Sequence, residues 1–191
     1  MRAVELAVAV TLIWSVGAPA TAQSQPPRGA TVREYRKVMR TYPYSDPNPI
    51  PVTGRIYPYF RFDLYTDTAV DREWTIVELE NAYLTVRVMP EIGGKIWTAI
   101  EKRSGRPFIY DNDVVKFRDI AMRGPWTSGG IEANYGIIGH TPNCATPVDY
   151  ETSTGAFGAR VVIDVLDLLT RTPWRLEITL PPDAAYFTTR S

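Results

Sequence analysis

The chain has 191 residues, 45% hydrophobic, 12% aromatic and 22% charged, an ordinary globular composition that excludes disorder and collagen-like repeats. Lys plus Arg is 21 and Asp plus Glu is 21, for a formal net charge of +0, so there is no basic excess to hold nucleic acid or an anionic membrane surface. One Cys and one His exclude a disulfide framework and any zinc site needing several such ligands; no metal and no cofactor is expected, and site chemistry falls to carboxylates, Arg, Asn, aromatics and the single imidazole.

Residues 1–22 read as a secretory signal peptide. Arg2 precedes the apolar run from Leu6 to Ala18, and Ala20-Thr21-Ala22 puts small residues where a signal peptidase cleaves. The run is shorter than the roughly 20 residues that a membrane span needs. The expectation is a secreted or periplasmic protein with no integral membrane segment after cleavage. Residues 23–30 form a polar linker with paired prolines, and order is expected from Thr31. The stretch from Arg33 to Tyr44 spaces Tyr35, Val38 and Met39 in a way that suits helix and strand alike. Ser45 to Pro51 is a proline-rich connector that no helix crosses.

β patterning then takes over. Ile56 to Tyr65 is rich in aromatics, and Trp74 to Glu80 sets Thr75, Val77 and Leu79 on one face against Trp74, Ile76 and Glu78 on the other. Leu84, Val86 and Val88 repeat the alternation after the short link Glu80-Asn81-Ala82, where Asn tolerates left-handed backbone. Gly93-Gly94 opens the strand Lys95 to Lys102, which stops at the turn signal Ser104-Gly105 before Pro107 to Tyr110. Regular runs thin out after Asp111 and return at Arg160 to Leu168 and Trp174 to Leu180. Ala184 to Ser191 reads as one more half-buried strand. About eight or nine strands of roughly six residues fit residues 31–191, so the expected fold is an all-β antiparallel β-sandwich.

Within the irregular stretch, Arg123 to His140 gathers Arg123, Trp126, Ser128, Gly129-Gly130, Glu132, Asn134, Tyr135 and the only His. The two glycines let the backbone approach another surface, and a strand here would turn Glu132 and Asn134 the same way. A carboxylate, an amide and a flat ring suit a sugar, whose hydroxyls need paired donors and acceptors and whose C–H faces pack on aromatics. The candidate ligand-binding residues are therefore Arg123, Trp126, Glu132, Asn134 and His140, with Glu132 and His140 also the candidate catalytic pair. The blander reading makes Trp126 a core plug, His140 a hydrogen-bonded structural residue and Arg123 half of an ion pair. Glu91 before Gly93-Gly94 marks a second cluster for which a tight turn is sufficient explanation. Cys144 reads as a buried small hydrophobe.

Together, the stretch from Glu80 to Asn112, the motif GPWTSGGIEANYGIIGHTP from Gly124 to Pro142 and the tetrapeptide PVDY from Pro147 to Tyr150 resemble an uncharacterised bacterial domain family. That family belongs to the galactose mutarotase-like, or aldose-1-epimerase-like, superfamily, and its members often precede tetratricopeptide repeats. The resemblance covers roughly Thr41 to Arg190. It implies a large β-sandwich that binds carbohydrate on one sheet face. Ser128, Gly129, Gly130, Ile131, Glu132 and Asn134 match the family's central motif, Ala133 replaces an aromatic, and Gly139-His140 stands where two histidines are usual. Only the second position's role is left to His140. True mutarotases also use a Glu that lies much later in the domain than this chain reaches, so the chain resembles the N-terminal part of a larger domain. Strand edges exposed by such truncation would favour self-association.

Three functions follow, in order: a carbohydrate-binding domain, a sugar-active enzyme (epimerase or glycoside hydrolase) using Glu132 or Glu91 with His140, and a structural β-domain with a protein partner.

Overall fold

The alternation of large apolar residues on the strands decides how this chain packs. The computed structural model describes residues 29–44, 66–120, 124–136, 140, 143–168 and 170–191. The expected signal peptide, the expected linker up to Arg28, the proline-rich stretch Ser45 to Pro51, the aromatic run Ile56 to Tyr65 and Arg123 lie outside the described residues. In chain order the elements are β1 (Thr31–Tyr42), β2 (Val70–Glu80), β3 (Leu84–Met89), a 3-10 turn (Pro90–Ile92), β4 (Lys95–Glu101), β5 (Arg106–Pro107) and β6 (Val114–Ile120). These are followed by β7 (Gly124–Thr127), β8 (Asp149–Gly155), β9 (Gly158–Leu166), β10 (Pro173–Leu180) and β11 (Thr188–Arg190). Two sheets form, ordered β5-β4-β3-β2-β1-β6-β7 and β11-β10-β9-β8.

The expected all-β sandwich is what forms. Val77, Leu79, Val86 and Val88 of the larger sheet pack on Val161, Ile163, Leu176 and Ile178 of the smaller one, and all of these are buried. The alternation read for Trp74 to Glu80 holds, with a consequence that polarity alone hid: β2 is buried on both faces. Trp74 and Ile76 join Met39, Met89, Trp97 and Phe117 in a second apolar cluster, on the outer face of the larger sheet, turned away from the smaller one. There the Trp74 indole donates from Nε1 to Thr41 Oγ1 at 2.9 Å.

Several local expectations change. The ambiguous stretch from Arg33 is strand, paired with β2 from Thr31↔Glu80 to Thr41↔Val70. One join in the larger sheet is parallel rather than antiparallel, β1 with β6 from Arg40↔Val114 to Tyr42↔Lys116. The irregular stretch after Asp111 contains two short strands, β6 and β7. Asn81 serves its turn through its side chain, not through left-handed backbone: Oδ1 accepts from the N–H groups of Tyr83 and Leu84 at 2.8 Å each, and Nδ2 donates to Pro181 O and Ala184 O. The last strand is only Thr188–Arg190, exposed throughout, and Phe187 just before it is what packs on the core.

The register of β3 against β4 slips between Arg87 and Val88. Arg87 opposes Thr98 and Val88 opposes Ile96, so Trp97 is the extra residue of a β-bulge. Because of the slip, Ile96 and Ala99 both face the inter-sheet core. Lys95 opposes Met89 and shares the outer face with Thr98. Unbroken alternation from Ala99 would have driven the lysine between the sheets.

Candidate functional site

The site is assembled on the outer edge of β4. Gly129 and Gly130 have φ of 74° and 66°, in the left-handed region that favours glycine. A Cβ on Gly130 would stand 2.3 Å from the Ile96 carbonyl oxygen, and one on Gly129 would stand 2.7 Å from the Tyr110 ring. This close approach lets Ile131 exchange two backbone hydrogen bonds with Ile96, of 3.1 and 2.8 Å. The bridge is antiparallel, so Glu132 falls opposite Lys95. Asn112 fixes the entry to the glycine pair, donating from Nδ2 to Ser128 O and Oγ at 2.9 Å each.

Three of the expected residues converge. His140 Nδ1 lies 2.9 Å from Glu132 Oε1, and the Trp126 and His140 ring centroids are 6.4 Å apart with planes at 69°. An ionised carboxylate only accepts, so Nδ1 carries the hydrogen, and Nε2 is left as an acceptor in the neutral ring. The Glu132 side chain is 13% exposed and that of His140 is 32% exposed: the carboxylate is the sheltered partner and the imidazole reaches solvent. His140 has left-handed φ of 46°.

Sequence reasoning missed Lys95. Its side chain is buried, and Nζ donates to Thr127 O at 2.5 Å and to Thr127 Oγ1 at 3.2 Å. Nζ also stands 5.3 Å from the Trp126 ring centroid, within cation–π range. The lysine therefore ties β7 and its tryptophan to β4. Burial pushes its pKa from the usual 10.5 down to about 8, against the opposing pull of Glu132 and then Cys144. The available signal was a lysine opening the run KIWTAI, where a charge amid continuous apolar residues needs a partner.

The depressed lysine pKa fixes a pH response. Below about pH 8 the folded and unfolded chains both carry the charge, and the fold bears its desolvation cost. Between about 8 and 10.5 only the unfolded chain is protonated, so wild type should gain stability as pH rises through that window. Relative to Lys95→Met, the gain should approach roughly 3 kcal/mol. Denaturant unfolding of both proteins at pH 7 and pH 10 measures it; parallel pH curves would show that the ammonium is not desolvated.

The remaining candidates do not join this cluster. Residues 132–136 form no strand, so the expected shared direction of Glu132 and Asn134 is not imposed; Asn134 is exposed and makes no hydrogen bond among the described residues. Tyr135 turns to Trp174, stacking at 4.4 Å with planes at 17°, and donates to Asn143 Oδ1 at 2.6 Å. Glu91 faces the sheet: Oε2 accepts from Thr75 N at 3.2 Å, and Oε1 lies 3.3 Å from Arg36 Nη1. Gly93 follows the 3-10 turn with left-handed φ of 65°, in keeping with the turn reading. Cys144 is buried. Among the described residues no cluster of His, Cys, Asp and Glu has the makings of a metal site, and no helix is long and apolar enough to cross a membrane.

A family model described as a domain of unknown function, DUF5107, matches residues 51–191. Among solved structures, a TPR-domain containing protein from Parabacteroides distasonis ATCC 8503 is similar, with a TM-score of 0.77 and 24% sequence identity over 84% of this chain. The match covers 28% of that protein, so this chain spans well under half of its length. At that identity the likeness shows the fold alone.

Proposed function

Because the chain belongs to the DUF5107 family of domains of unknown function, a membership that specifies no activity, we propose its function from the site: it binds carbohydrate at the surface made by Trp126, Glu132 and His140. The observation that carries this reading is the Glu132–His140 hydrogen bond of 2.9 Å beside the edge-on Trp126 ring. An oriented imidazole offers Nε2 to a sugar hydroxyl while the indole offers a flat apolar surface to its C–H face. Asn134, exposed and outside that cluster, and Arg123 remain part of the proposed set. The sequence resemblance to galactose mutarotase-like domains supports the same reading, as does the secretory signal read at residues 1–22, which would bring the domain to extracellular or periplasmic glycans.

Calorimetric titration of a neutral mono- and disaccharide panel tests it. Wild type should bind at least one member, and Trp126→Ala should weaken that binding by about tenfold or more through loss of the stacking surface. Flat traces from the folded protein would overturn the proposal. A second reading, a sugar-active enzyme, is favoured by one feature: Glu132 sets the His140 tautomer as the acid partner of a catalytic base does. Turnover lost in Glu132→Gln with binding retained would select the enzyme.

A further inference from the structure

Trp126 has a second neighbourhood, on the strand it pairs with. β7 ends the larger sheet and lies beside β6, where Arg118 opposes Trp126 and Phe117 opposes Thr127. β6 in turn lies beside β1, with Lys116 opposite Tyr42 and Val114 opposite Arg40. Directly opposed residues project to one face, and in an antiparallel pair their Cβ atoms are about 4.5–5.5 Å apart. Arg118, Trp126, Lys116 and Tyr42 therefore share a face, while Val115 and Phe117 of the same strand enter the apolar cluster on the other. The shared face is open: Lys116 and Arg118 are exposed and Trp126 is partly exposed. The smaller sheet packs instead on Val77, Val86 and Ile96 of β2 to β4, which lie on the far side of β1 from β6.

The cations here are oriented without being neutralised. Arg118 Nη1 donates to the Phe117 carbonyl oxygen at 2.9 Å, a neutral acceptor that fixes the guanidinium and leaves its charge intact. Nε and Nη2, the side-on pair that holds a carboxylate through two parallel bonds, make no hydrogen bond among the described residues. Lys116 Nζ stands 4.7 Å from the Tyr42 ring centroid, and the Arg40 guanidinium 6.0 Å from it. Among the described residues none of these three cations is in an ion pair. Asp71 opposes Arg40 on β2, two strands away from Lys116. Asp113 and Asp119 fall at the odd positions with Val115 and Phe117, alternate to Lys116 and Arg118. Asp113 is also within electrostatic reach of Asp111, which feels Arg87 and Lys37. Glu132, the carboxylate of the site itself, is sheltered, engaged by His140 and within reach of the Lys95 charge. Lys95, Lys116 and Arg118 thus outweigh Glu132 around the indole at neutral pH.

We propose that Arg118, assisted by Lys116, is the specificity determinant of the Trp126 surface, and that the sugar held there is an acidic one whose carboxylate is gripped by the Arg118 guanidinium. A single ring is enough, because Arg118 and Trp126 are cross-strand neighbours and no ligand has to reach across the sheet. A guanidinium already fixed by a backbone carbonyl gives bidentate recognition with little ordering cost. Lys116 lies two positions from Arg118, about 7 Å along the strand, and adds to the field at the carboxylate. The inference rests on the carbohydrate reading above and adds the class of sugar.

The test is calorimetry at pH 7 with methyl glycosides of glucuronic and galacturonic acid and of their neutral counterparts, glucose and galactose, at low and high salt. Wild type should favour an acidic sugar over its neutral counterpart by about tenfold, and the margin should shrink as salt is raised. Arg118→Gln, at an exposed position, should bring the acid-to-neutral ratio close to one. Arg118→Lys keeps the charge without the planar fork, so it should retain only part of the preference. An arginine that serves only to brace β6 would leave the ratio unmoved in Arg118→Gln, and that result would overturn the proposal. Equal affinity of wild type for acidic and neutral sugars would overturn it too, and leave the carbohydrate reading standing. Failure of the folded protein to bind any of the four would overturn both.

Discussion

Gly130→Ala should destabilise the protein by about 3–4 kcal/mol and abolish ligand binding at the Trp126–His140 surface. Two costs combine. The left-handed φ of 66° is disfavoured for alanine by about 1–2 kcal/mol. The new Cβ would also stand 2.3 Å from the Ile96 carbonyl oxygen, a backbone atom that cannot swing aside. The strand segment has to retreat, breaking both backbone hydrogen bonds between Ile96 and Ile131, at about 1 kcal/mol each. Glu132, the next residue, leaves its place opposite Lys95, and His140 loses its orienting carboxylate. Gly105→Ala is the control: φ is 67° there as well, but no atom lies within 4 Å of the added carbon. It should cost only the backbone term, and denaturant midpoints of the two variants separate strain from collision. Equal midpoints would show that the segment at Gly130 is free to move.

Trp74→Ala should cost about 3–5 kcal/mol. The side chain is 1% exposed and sits in the outer-face cluster near Phe117, with the Arg72 guanidinium 4.0 Å from its ring centroid. Truncation leaves a cavity walled by strands on which backbone hydrogen bonds limit collapse. Trp74→Phe retains most of the apolar contact and loses the bond to Thr41 Oγ1, so it should cost nearer to 1–2 kcal/mol. Urea unfolding monitored by circular dichroism distinguishes the two. A Trp74→Ala loss as small as that of Trp74→Phe would mean that the outer-face cluster contributes little to stability.

The fold was legible where apolar residues alternate, and Trp74 to Glu80 is the clearest case. Alternation is a local signal that reports strands well but not their neighbours. Nothing in Arg33 to Tyr44 announces a strand that lies between β2 and β6, because its partners are remote in the chain. The site was legible in its residue types: Trp126, Glu132 and His140 stand out in the sequence, and they meet. Lys95 was not, since a bulge decides its face and a bulge has no period. Alternation puts Glu78 on the face of Trp74 and Ile76, but its partners there are Arg33 and Arg87, 45 and 9 residues away. Asn134 was grouped with Glu132 on the premise of a strand that the backbone forms only at Ile131.

The interior position of β1, between β2 and β6, bears on how this chain acquires its structure in time. β1, the first of the described strands, pairs with β2 through contacts such as Thr41↔Val70, and then waits for Val114 to complete its other edge. At about 5–20 residues per second, the interval between synthesis of Arg40 and Val114 is roughly 4–15 s. Throughout it, β1 has an unpaired margin, and the cluster around Trp74 lacks Val115 and Phe117. Loop closure over such separations makes this a high-contact-order, slow-folding topology. The join between β1 and β6 thus closes only after β2 to β5 have been made, and until then the nascent chain is open to mispairing along the strand that carries Arg33 and Tyr35.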